Sequence, residues 1–448
     1  MDNEKLFGTS GIRGEINTEI TTELALKIGK ALGTYLKNKG KVVVGYDTRT
    51  TNQMLDQAIS AGLMESGIDV LKIGMVPTPL VGYATEKLNV NAGIMITASH
   101  NPSKDNGIKL WNSNGMAYTS SQEEEIEEIY NKSSFKIVPW DNVGSLKKIN
   151  EIKKDYIQEL VDLVNINPGL KVVIDTASGA GSELSPIIFR KAGCKVITLN
   201  SQPDGFFPGR DPEPNKANLD SLMKTVKSTG ADLGIAHDGD ADRMITVDEN
   251  GVVSPFDSLL VLIAESFGGT VVTTVDAGMT LDEALEKVGG TVLRTKVGDV
   301  NVAELILKEN ASFGGEPSGT WLHPDFSMCP DGILSGLRIA EIVSNKGKLS
   351  KLLENIPRYP NIREKIPCSK EDKIKIMKNI EPLLKNKFND IKDVNNTDGI
   401  RLTFNDNSWV LIRPSGTENY IRITLESKEK IKANKICATC KDIIINNI

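Results

Sequence analysis

Three aspartates at alternate positions, Asp238, Asp240 and Asp242, form the strongest chemical signal in the 448-residue sequence. Carboxylates this close together repel one another, so a hard divalent cation is expected to bind between them. A solvated acidic loop is the simpler alternative, although an apolar segment leads into the run. The run also partly fits an EF-hand, with Glu249 at the last position, but Arg243 stands where that loop requires glycine. A phosphatase with an aspartate nucleophile also stays open.

A second candidate is Ser99, which follows the apolar segment 92–96 and precedes His100. A serine in this position can act as a nucleophile, but by residue type alone it is more often a helix N-cap. The GxSxG elbow of serine hydrolases is absent from the sequence, and no aspartate is spaced for a recognisable triad. An ordinary serine hydrolase is therefore weakly supported.

Two further loops carry groups that suit a phosphorylated sugar. The first offers a guanidinium fork, two hydroxyl groups and backbone amides to an oxyanion; it contains Arg413, Ser415, Gly416 and Thr417. The second contains Glu316 and Ser318, which could hydrogen-bond to neighbouring sugar hydroxyls. Standing alone, each loop is more often an ordinary polar turn.

The elements that must position these loops repeat three times along the chain. Each copy begins with a β-branched run, passes through a polar loop into a helix-like stretch that ends in glycine, and continues into a second strand. The first strands are at 41–49, 171–182 and 268–280. A third strand in each copy, at 92–96, 231–236 and 311–315, runs directly into a polar loop. Because such loops lie beyond the carboxyl ends of parallel strands, the three are expected to converge on one cleft.

After residue 365 the chain changes to a lysine-rich helix and alternating strands, which indicates a smaller domain. The prediction is an α/β protein with three similar mixed-sheet α/β domains and a smaller C-terminal α+β domain around a central cleft. The predicted domains are 1–150 (serine loop), 151–250 (metal-binding), 251–365 (sugar recognition) and 366–448 (phosphate-binding). The Pro/Gly/Asp-rich loop 201–215 has no assigned role.

Composition excludes several classes of protein. Lys and Arg total 53 against 59 for Asp and Glu, which argues against nucleic acid or an anionic membrane as the main partner. Only three histidines are present, so a multi-histidine metal site is nearly excluded. The scattered cysteines, the first ten residues and the short apolar runs indicate a cytoplasmic protein. Cys437 and Cys440 form a CxxC that is interpreted as core thiols of a C-terminal helix.

Taken together, these loops resemble the α-D-phosphohexomutase family, which includes phosphoglucomutases, phosphomannomutases and phosphoglucosamine mutases. Five motifs carry the resemblance over essentially the whole chain: FGTSGIRG at 7–14, TASHNP at 97–102, DGDADR at 238–243, GEPSG at 315–319 and RPSGTE at 413–418. The four-domain organisation of the family also agrees with the division made above.

The resemblance implies roles for the candidate residues. It implies that phosphorylated Ser99 is the phosphoryl donor and that Mg²⁺ is held by Asp238, Asp240, Asp242 and an oxygen of that phosphoserine. It implies that Glu316 and Ser318 recognise the sugar. It also implies that the non-reacting phosphate is bound by Arg413, Ser415, Gly416 and Thr417. Four residues match family positions around the transferring phosphate: Arg13, His100, Lys109 and Arg243. Lys109 is the family's basic residue suspected in proton transfer, and Lys296 in TKVGD matches a substrate contact.

The implied reaction moves a phosphate within a sugar, through a 1,6-bisphosphate intermediate. GTSGIRG, GEPSG and TKVGD are most similar to archaeal phosphoglucosamine mutases, so glucosamine 6-phosphate and 1-phosphate are the expected substrates. A phosphomannomutase or phosphoglucomutase is the alternative; a metal-dependent phosphatase and a Ca²⁺-binding module represent other classes. The expected partner is a hexosamine or hexose phosphate, with no nucleic acid and no membrane, and a homodimer stays open.

Three positions depart from familiar patterns. Thr320 stands where many relatives carry histidine after the GExSG motif, and His323 follows three residues later. Ala241 is typical of phosphomannomutases and phosphoglucomutases, whereas bacterial phosphoglucosamine mutases usually have glycine there. Ser10 replaces the aspartate that is usual in those bacterial enzymes.

Overall fold

The computed structural model describes residues 5–8, 10–415 and 419–448. The chain forms two compact units, each built from several segments. The first unit contains the described residues of Met1–Phe256, with Gly298–Ala303 and Ser318–Leu353; the second contains Asp257–Val297, Glu304–Pro317 and the described part of Glu354–Ile448. The predicted third domain thus contributes residues to both units. Within the described ranges, no helix has both the length and the apolar character needed to cross a bilayer.

The first α/β segment contains a six-stranded sheet with the order β1-β5-β4-β2-β3-β6. The strands are β1 (Ile12–Glu15), β2 (Lys41–Tyr46), β3 (Asp69–Met75), β4 (Ala92–Ile96), β5 (Asp105–Asn112) and β6 (Leu146–Lys148). The helices are α1 (Thr22–Tyr35), α2 (Asn52–Glu65), α3 (Thr78–Lys87) and α4 (Ser120–Asn131). β2 pairs in parallel with β3 and β4, and β5 runs antiparallel to β4. After α2 the chain turns at Gly67, whose φ of 78° confirms the predicted glycine stop.

The second α/β segment repeats this arrangement with a sheet of order β10-β9-β7-β8. Its strands are β7 (Lys171–Asp175), β8 (Lys195–Leu199), β9 (Leu233–His237) and β10 (Met244–Asp248), and its helices are α5 (Ile152–Asp162), α6 (Gly181–Lys191) and α7 (Asp220–Thr229). β7 is parallel to β8 and β9, whereas β9 and β10 form an antiparallel hairpin. The aspartate cluster therefore occupies a hairpin turn, so the EF-hand, which needs flanking helices, is wrong.

The third α/β segment places β11 between β12 and β13, with parallel pairing on both sides. Its elements are α8 (Phe256–Phe267), β11 (Thr270–Thr274), α9 (Thr280–Lys287), β12 (Thr291–Thr295), α10 (Asp299–Glu309), β13 (Phe313–Gly315), β14 (Trp321–Leu322), α11 (Gly332–Lys346) and α12 (Leu349–Glu354). In all three segments the first strand lies between the second and the third, which confirms the repeat.

The C-terminal α+β region is a five-stranded antiparallel sheet of order β15-β19-β18-β17-β16. Its strands are β15 (Asn361–Pro367), β16 (Ile391–Asn395), β17 (Ile400–Phe404), β18 (Trp409–Pro414) and β19 (Tyr420–Glu426), and its helices are α13 (Lys370–Lys387) and α14 (Lys430–Ile445). The predicted boundary at 365 falls inside β15, and the four-domain division stays a prediction. Cys437 and Cys440 are buried free thiols in α14.

Candidate active site

The serine loop, residues 97–105, follows β4 and presents Ser99 from a strained backbone. Ser99 has a φ of 52° and is fully buried. Its amide donates to Thr97 Oγ1 over 2.8 Å. The next regular element is β5 and not a helix, so the N-cap interpretation of Ser99 is wrong. A non-glycine residue with positive φ needs support from its surroundings, and such positions concentrate at functional sites.

That support comes from Arg49 and Asp47, which follow β2. The Arg49 guanidinium is buried and donates to the carbonyl oxygens of four serine-loop residues: Ser99 (2.9 Å), Asn101 (2.7 Å), Pro102 (2.6 Å) and Asp105 (2.8 Å). Arg49 also pairs with Asp47, and Thr97 donates its hydroxyl to the same Asp47 oxygen over 2.6 Å. Arg49 therefore fixes the backbone from the serine onward, and Asp47 holds Thr97 on the other side.

The cation loop, residues 238–243, brings three carboxylates together in the hairpin between β9 and β10. Asp238, Asp240 and Asp242 are buried, and their ligand oxygens all lie within 4.8 Å of one another. Oδ1 of Asp240 and Oδ1 of Asp242 are buried and accept no hydrogen bond from any described residue. Because buried carboxylate oxygens are normally satisfied, the two atoms mark places for a ligand. Burial excludes the solvated acidic loop.

The serine loop and the cation loop touch each other. Ser99 Oγ donates to Asp238 Oδ2 over 2.8 Å, and the Arg243 amide donates to Asp238 Oδ1 over 3.2 Å. A methyl group placed on Gly239 would lie 2.4 Å from the carbonyl oxygen of Ser99, so the backbones approach as closely as glycine allows. The serine hydroxyl thus stands beside the carboxylate cluster.

Cationic side chains surround the carboxylates. Lys109 Nζ on β5 lies 2.8 Å from Asp240 Oδ2 and 2.9 Å from Asp242 Oδ2. Burial opposes the ammonium, but the two carboxylates outweigh it and raise the pKa of Lys109. Burial likewise opposes ionisation of Asp240, and Lys109 outweighs it and lowers the pKa of that carboxyl. Arg13 is half-buried near the same carboxylates, and desolvation lowers its pKa despite the attraction of Asp240 and Asp242.

His100 lies beside Ser99 and adds an imidazole to the side chains around the serine hydroxyl. Its Nδ1 lies 3.3 Å from Ser99 Oγ, and its Nε2 lies 3.6 Å from Glu213 Oε2. Burial, reinforced by Arg243 and Arg13, lowers the pKa of His100 to about 3. A neutral imidazole in contact with the serine hydroxyl can accept or relay a proton.

The sugar-loop candidates are divided between the two units. Ser318 lies in the first unit, 3.3 Å from the Thr320 hydroxyl, and Thr320 forms an isolated antiparallel bridge with Arg243. His323 is buried with its Nε2 2.9 Å from Ser335 Oγ, so it supports the core and does not replace the histidine missing at position 320. Glu316 belongs to the second unit, directly after β13.

The described phosphate-loop candidates, Arg413 and Ser415, lie in the second unit. Arg413 Nε, at the end of β18, donates to Asp398 Oδ1 over 3.0 Å, and Asp398 Oδ2 accepts from the amide of Val297 over 3.1 Å. Lys373 donates to the carbonyl oxygen of Ser415 over 2.9 Å. Lys296 is exposed beside Val297. Gly416 and Thr417 lie outside the described residues.

Comparison with known proteins covers the chain from end to end. Family models of phosphoglucomutase/phosphomannomutase match in sequence order: α/β/α domain I at 4–137, domain II at 154–251, domain III at 255–359 and the C-terminal domain at 365–443. The chain belongs to the phosphoglucomutase/phosphomannomutase family. It is 71% identical over 445 residues to a probable phosphoglucosamine mutase of Methanobrevibacter smithii, covering 99% of both chains.

More distant members of the phosphoglucomutase/phosphomannomutase family agree. A probable phosphoglucosamine mutase of Pyrococcus abyssi is 48% identical over 98% of both chains. The crystal structure of a phosphoglucomutase/phosphomannomutase family protein from Burkholderia thailandensis superposes with a TM-score of 0.89 at 26% identity, covering 100% of this chain and 98% of that one.

The residues present fit a divalent cation of the kind this family uses. The cluster offers only carboxylate oxygens, the donors that Mg²⁺ prefers. Burial and the charges of Asp242 and Asp240 raise the pKa of Asp238 well above its usual range, and a bound cation would relieve that repulsion. The aspartate cluster could therefore bind a metal ion.

Sequence reasoning missed the residues that hold the loops. Asp47, Arg49 and Asp398 touch no expected ligand, and each acts on a loop distant in sequence. Arg210, which donates to the carbonyl oxygen of His237 over 2.6 Å, was missed because its loop, 201–215, matches no motif. The available signal was the Asp-x-Arg sequence directly after β2 in a family whose loops follow strands.

Proposed function

We propose that this protein is a phosphoglucosamine mutase that interconverts glucosamine 6-phosphate and glucosamine 1-phosphate through a phosphorylated Ser99. The observation that carries the proposal is the 2.8 Å contact between Ser99 Oγ and Asp238 of the buried carboxylate cluster. A serine phosphate formed there could share a divalent cation with the three aspartates. The 71% identical relative named probable phosphoglucosamine mutase supports the choice of sugar.

In the proposed step, the phosphoserine O–P bond breaks and a new O–P bond forms to the free hydroxyl of a hexosamine phosphate. The sugar hydroxyl loses its proton and Ser99 Oγ regains one, and we assign the relay of these protons to His100 and Lys109. The resulting 1,6-bisphosphate reverses its orientation and returns its other phosphate to Ser99, so no water is consumed. Arg13 and Arg243 would balance charge on the moving phosphoryl group.

The cofactor in this proposal is Mg²⁺, held by Asp238, Asp240 and Asp242. When bound, it supplies neutralisation of charge on the transferring group. Lys109 contacts two of these carboxylates, Asp240 and Asp242, and would help to keep both ionised and oriented. These roles follow the chemistry of the donor atoms and the distances given above.

Recognition of the sugar and of its second phosphate is assigned to the remaining candidates. We propose sugar contacts for Glu316, Ser318 and Lys296, and phosphate contacts for Arg413, Ser415, Gly416 and Thr417. Asp398 supports this assignment because it orients the Arg413 guanidinium from the side of Nε, which leaves the two terminal nitrogens for an anion. A homodimer and a cytoplasmic location stay predictions.

The second candidate function is a phosphomannomutase or phosphoglucomutase, which the description of the matching family names. Purified protein with Mg²⁺ and a catalytic amount of sugar 1,6-bisphosphate should convert glucosamine 6-phosphate faster than glucose or mannose 6-phosphate. Faster turnover of a neutral hexose phosphate would replace the glucosamine assignment. Release of inorganic phosphate as the main product would favour the phosphatase, and Ca²⁺ binding without turnover would favour the binding module.

The serine itself is tested separately. Intact-protein mass and peptide mapping after incubation with the bisphosphate should place one phosphate on Ser99. The Ser99→Ala variant should lose both that phosphate and turnover, because no other group stands against Asp238 at this distance among the described residues. Activity that survives in Ser99→Ala would reject the mechanism.

A further inference from the structure

The loop 201–215, named here the bridging loop, lies between the two reacting loops of the first unit. Its backbone packs directly on the segment that follows β2: a methyl group on Gly205 would lie 2.5 Å from the carbonyl oxygen of Thr48 and 2.7 Å from Arg49 Cα. Phe207 is buried, and its ring lies 5.1 Å from the Arg49 guanidinium carbon. The bridging loop therefore covers the arginine that fixes the serine loop.

The other end of the bridging loop holds the cation loop. Arg210 is buried and pairs through Nε with Asp175 Oδ2 at the end of β7, over 3.0 Å. Its Nη2 donates over 2.6 Å to the carbonyl oxygen of His237, the residue directly before Asp238. Arg210 and Asp175 thus repeat, in the second α/β segment, what Arg49 and Asp47 do in the first. The two aspartates stand at the carboxyl ends of equivalent strands, with Asp47 directly after β2 and Asp175 as the last residue of β7, but the arginines come from unrelated positions.

The bridging loop also closes over the contact between the two loops. Pro212 Cβ lies 3.3 Å from the place where a methyl group on Gly239 would stand, and that place is itself 2.4 Å from the Ser99 carbonyl oxygen. Glu213 reaches His100 over 3.6 Å. One segment therefore contacts Arg49, His100, the residue before Asp238 and the turn of the cation loop.

We propose that the bridging loop is a positioning element for phosphoryl transfer: Arg49 fixes the serine loop, Arg210 fixes the cation loop, and the bridging loop links the two supports because it carries Arg210 and packs Phe207 on Arg49. Ser99 Oγ is then held where a phosphate on it can share the cation of Asp238. None of these three residues contacts the reacting atoms, so each acts through the loop that it holds. The role of Arg49 in phosphoryl transfer, the phosphoryl-transfer half of the proposal, rests on the proposed function. The role of Arg210 in cation binding, the cation half, rests on the carboxylate cluster alone.

The experiment uses the full-length protein with Arg210→Lys, Arg49→Lys and Phe207→Ala variants. Lys72→Met is the matched control, because Lys72 forms a buried ion pair of 2.7 Å with Asp56 away from both loops. Two quantities are measured: the dissociation constant of Mn²⁺ from the amount of free Mn²⁺ in electron paramagnetic resonance, and the rate of Ser99 phosphorylation by a sugar 1,6-bisphosphate at saturating Mn²⁺. Thermal unfolding shows whether each variant is folded.

Arg210→Lys should raise the Mn²⁺ dissociation constant by about 10- to 100-fold, the usual cost of losing a partner that orients metal ligands. Arg49→Lys and Phe207→Ala should leave Mn²⁺ affinity close to the wild-type value while slowing Ser99 phosphorylation by about tenfold or more. Lys72→Met should change neither quantity, even though it lowers the unfolding temperature.

Two results would overturn the proposal. Folded variants that match Lys72→Met in both quantities would show that the arginines position nothing. If Mn²⁺ affinity and the rate of Ser99 phosphorylation both fell in proportion to the unfolding temperature, the residues would have only a general structural role. Wild-type protein that binds Mn²⁺ but is not phosphorylated would instead remove the proposed function, and the Mn²⁺ affinity of Arg210→Lys would still decide the cation half.

Discussion

Replacing Asp238 by asparagine should separate cation binding from folding stability. The substitution keeps the shape of the side chain but removes one of three buried carboxylates. Their ligand oxygens all lie within 4.8 Å of one another, and at that limit two ionised carboxylates repel by about 3.5 kcal/mol at an effective dielectric constant of about 20. Losing one hydrogen bond, from Ser99 or from the Arg243 amide, costs about 1 kcal/mol. In EDTA the Asp238→Asn variant should therefore unfold at the same temperature as the wild type or higher.

Mg²⁺ should reverse this order. At a concentration a hundredfold above its dissociation constant, a bound ion stabilises the folded wild type by about 2.7 kcal/mol. The variant should show little of this gain, because its cluster has lost one charge and one ligand. Differential scanning fluorimetry over a Mg²⁺ titration, begun in EDTA, measures both effects.

The control for this experiment is Asp248→Asn. Asp248 is the buried last residue of β10, where its carboxylate accepts from the amides of Asn250 and Val252 in the following turn, outside the cluster. Its substitution should lower stability modestly and preserve the response to Mg²⁺. An equal Mg²⁺-induced rise in wild type and Asp238→Asn, or no rise in the wild type, would refute the cation site. A clear loss of stability for Asp238→Asn in EDTA would refute the repulsion argument.

Two further predictions concern other parts of the molecule. Arg413→Lys should raise KM for the sugar phosphate about tenfold or more, because an ammonium cannot replace the guanidinium fork, whereas Arg294→Lys, which breaks a similar pair with Asp282, should leave KM unchanged in steady-state assays. Burial raises the pKa of Asp331 to about 6, so the folded state keeps a proton that the unfolded chain releases between about pH 4 and 6. Asp331 should therefore contribute a fall of about 3 kcal/mol to the free energy of unfolding over that interval. Asp331→Asn, which keeps a helix N-cap, should lack this fall in urea titrations at several pH values; an identical pH dependence would contradict the assignment.

The sequence predicts the repeat well because each copy marks its elements strongly. Buried β-branched strands such as β2, β7 and β11 are short apolar runs, and glycine ends the helices that follow. The strands that were not predicted, such as β6 and β16, are edge strands with charged residues and little burial. Their pairing depends on the neighbouring strand and not on their own composition.

The chemistry of the site was predictable by residue type, and its geometry was not. The carboxylate cluster could be found because three aspartates stand at alternate positions of one short segment. The conformation of Ser99, in contrast, depends on Arg49, 50 residues earlier, and the placement of Asp238 on Arg210, in a loop without a motif. Residue statistics favoured a helix N-cap at Ser99 because they contain no information about such distant partners.

The left-handed backbone at Ser99 restricts which amino acid could carry the proposed phosphate. Threonine has the same hydroxyl group, and many phosphorylated sites in proteins accept either residue. At a φ of 52°, however, the extra branch of threonine would clash with its own backbone. A Ser99→Thr exchange would thus be disfavoured by the backbone conformation before its reactivity mattered. The proposed nucleophile can therefore change in evolution far less freely than its chemistry alone would permit.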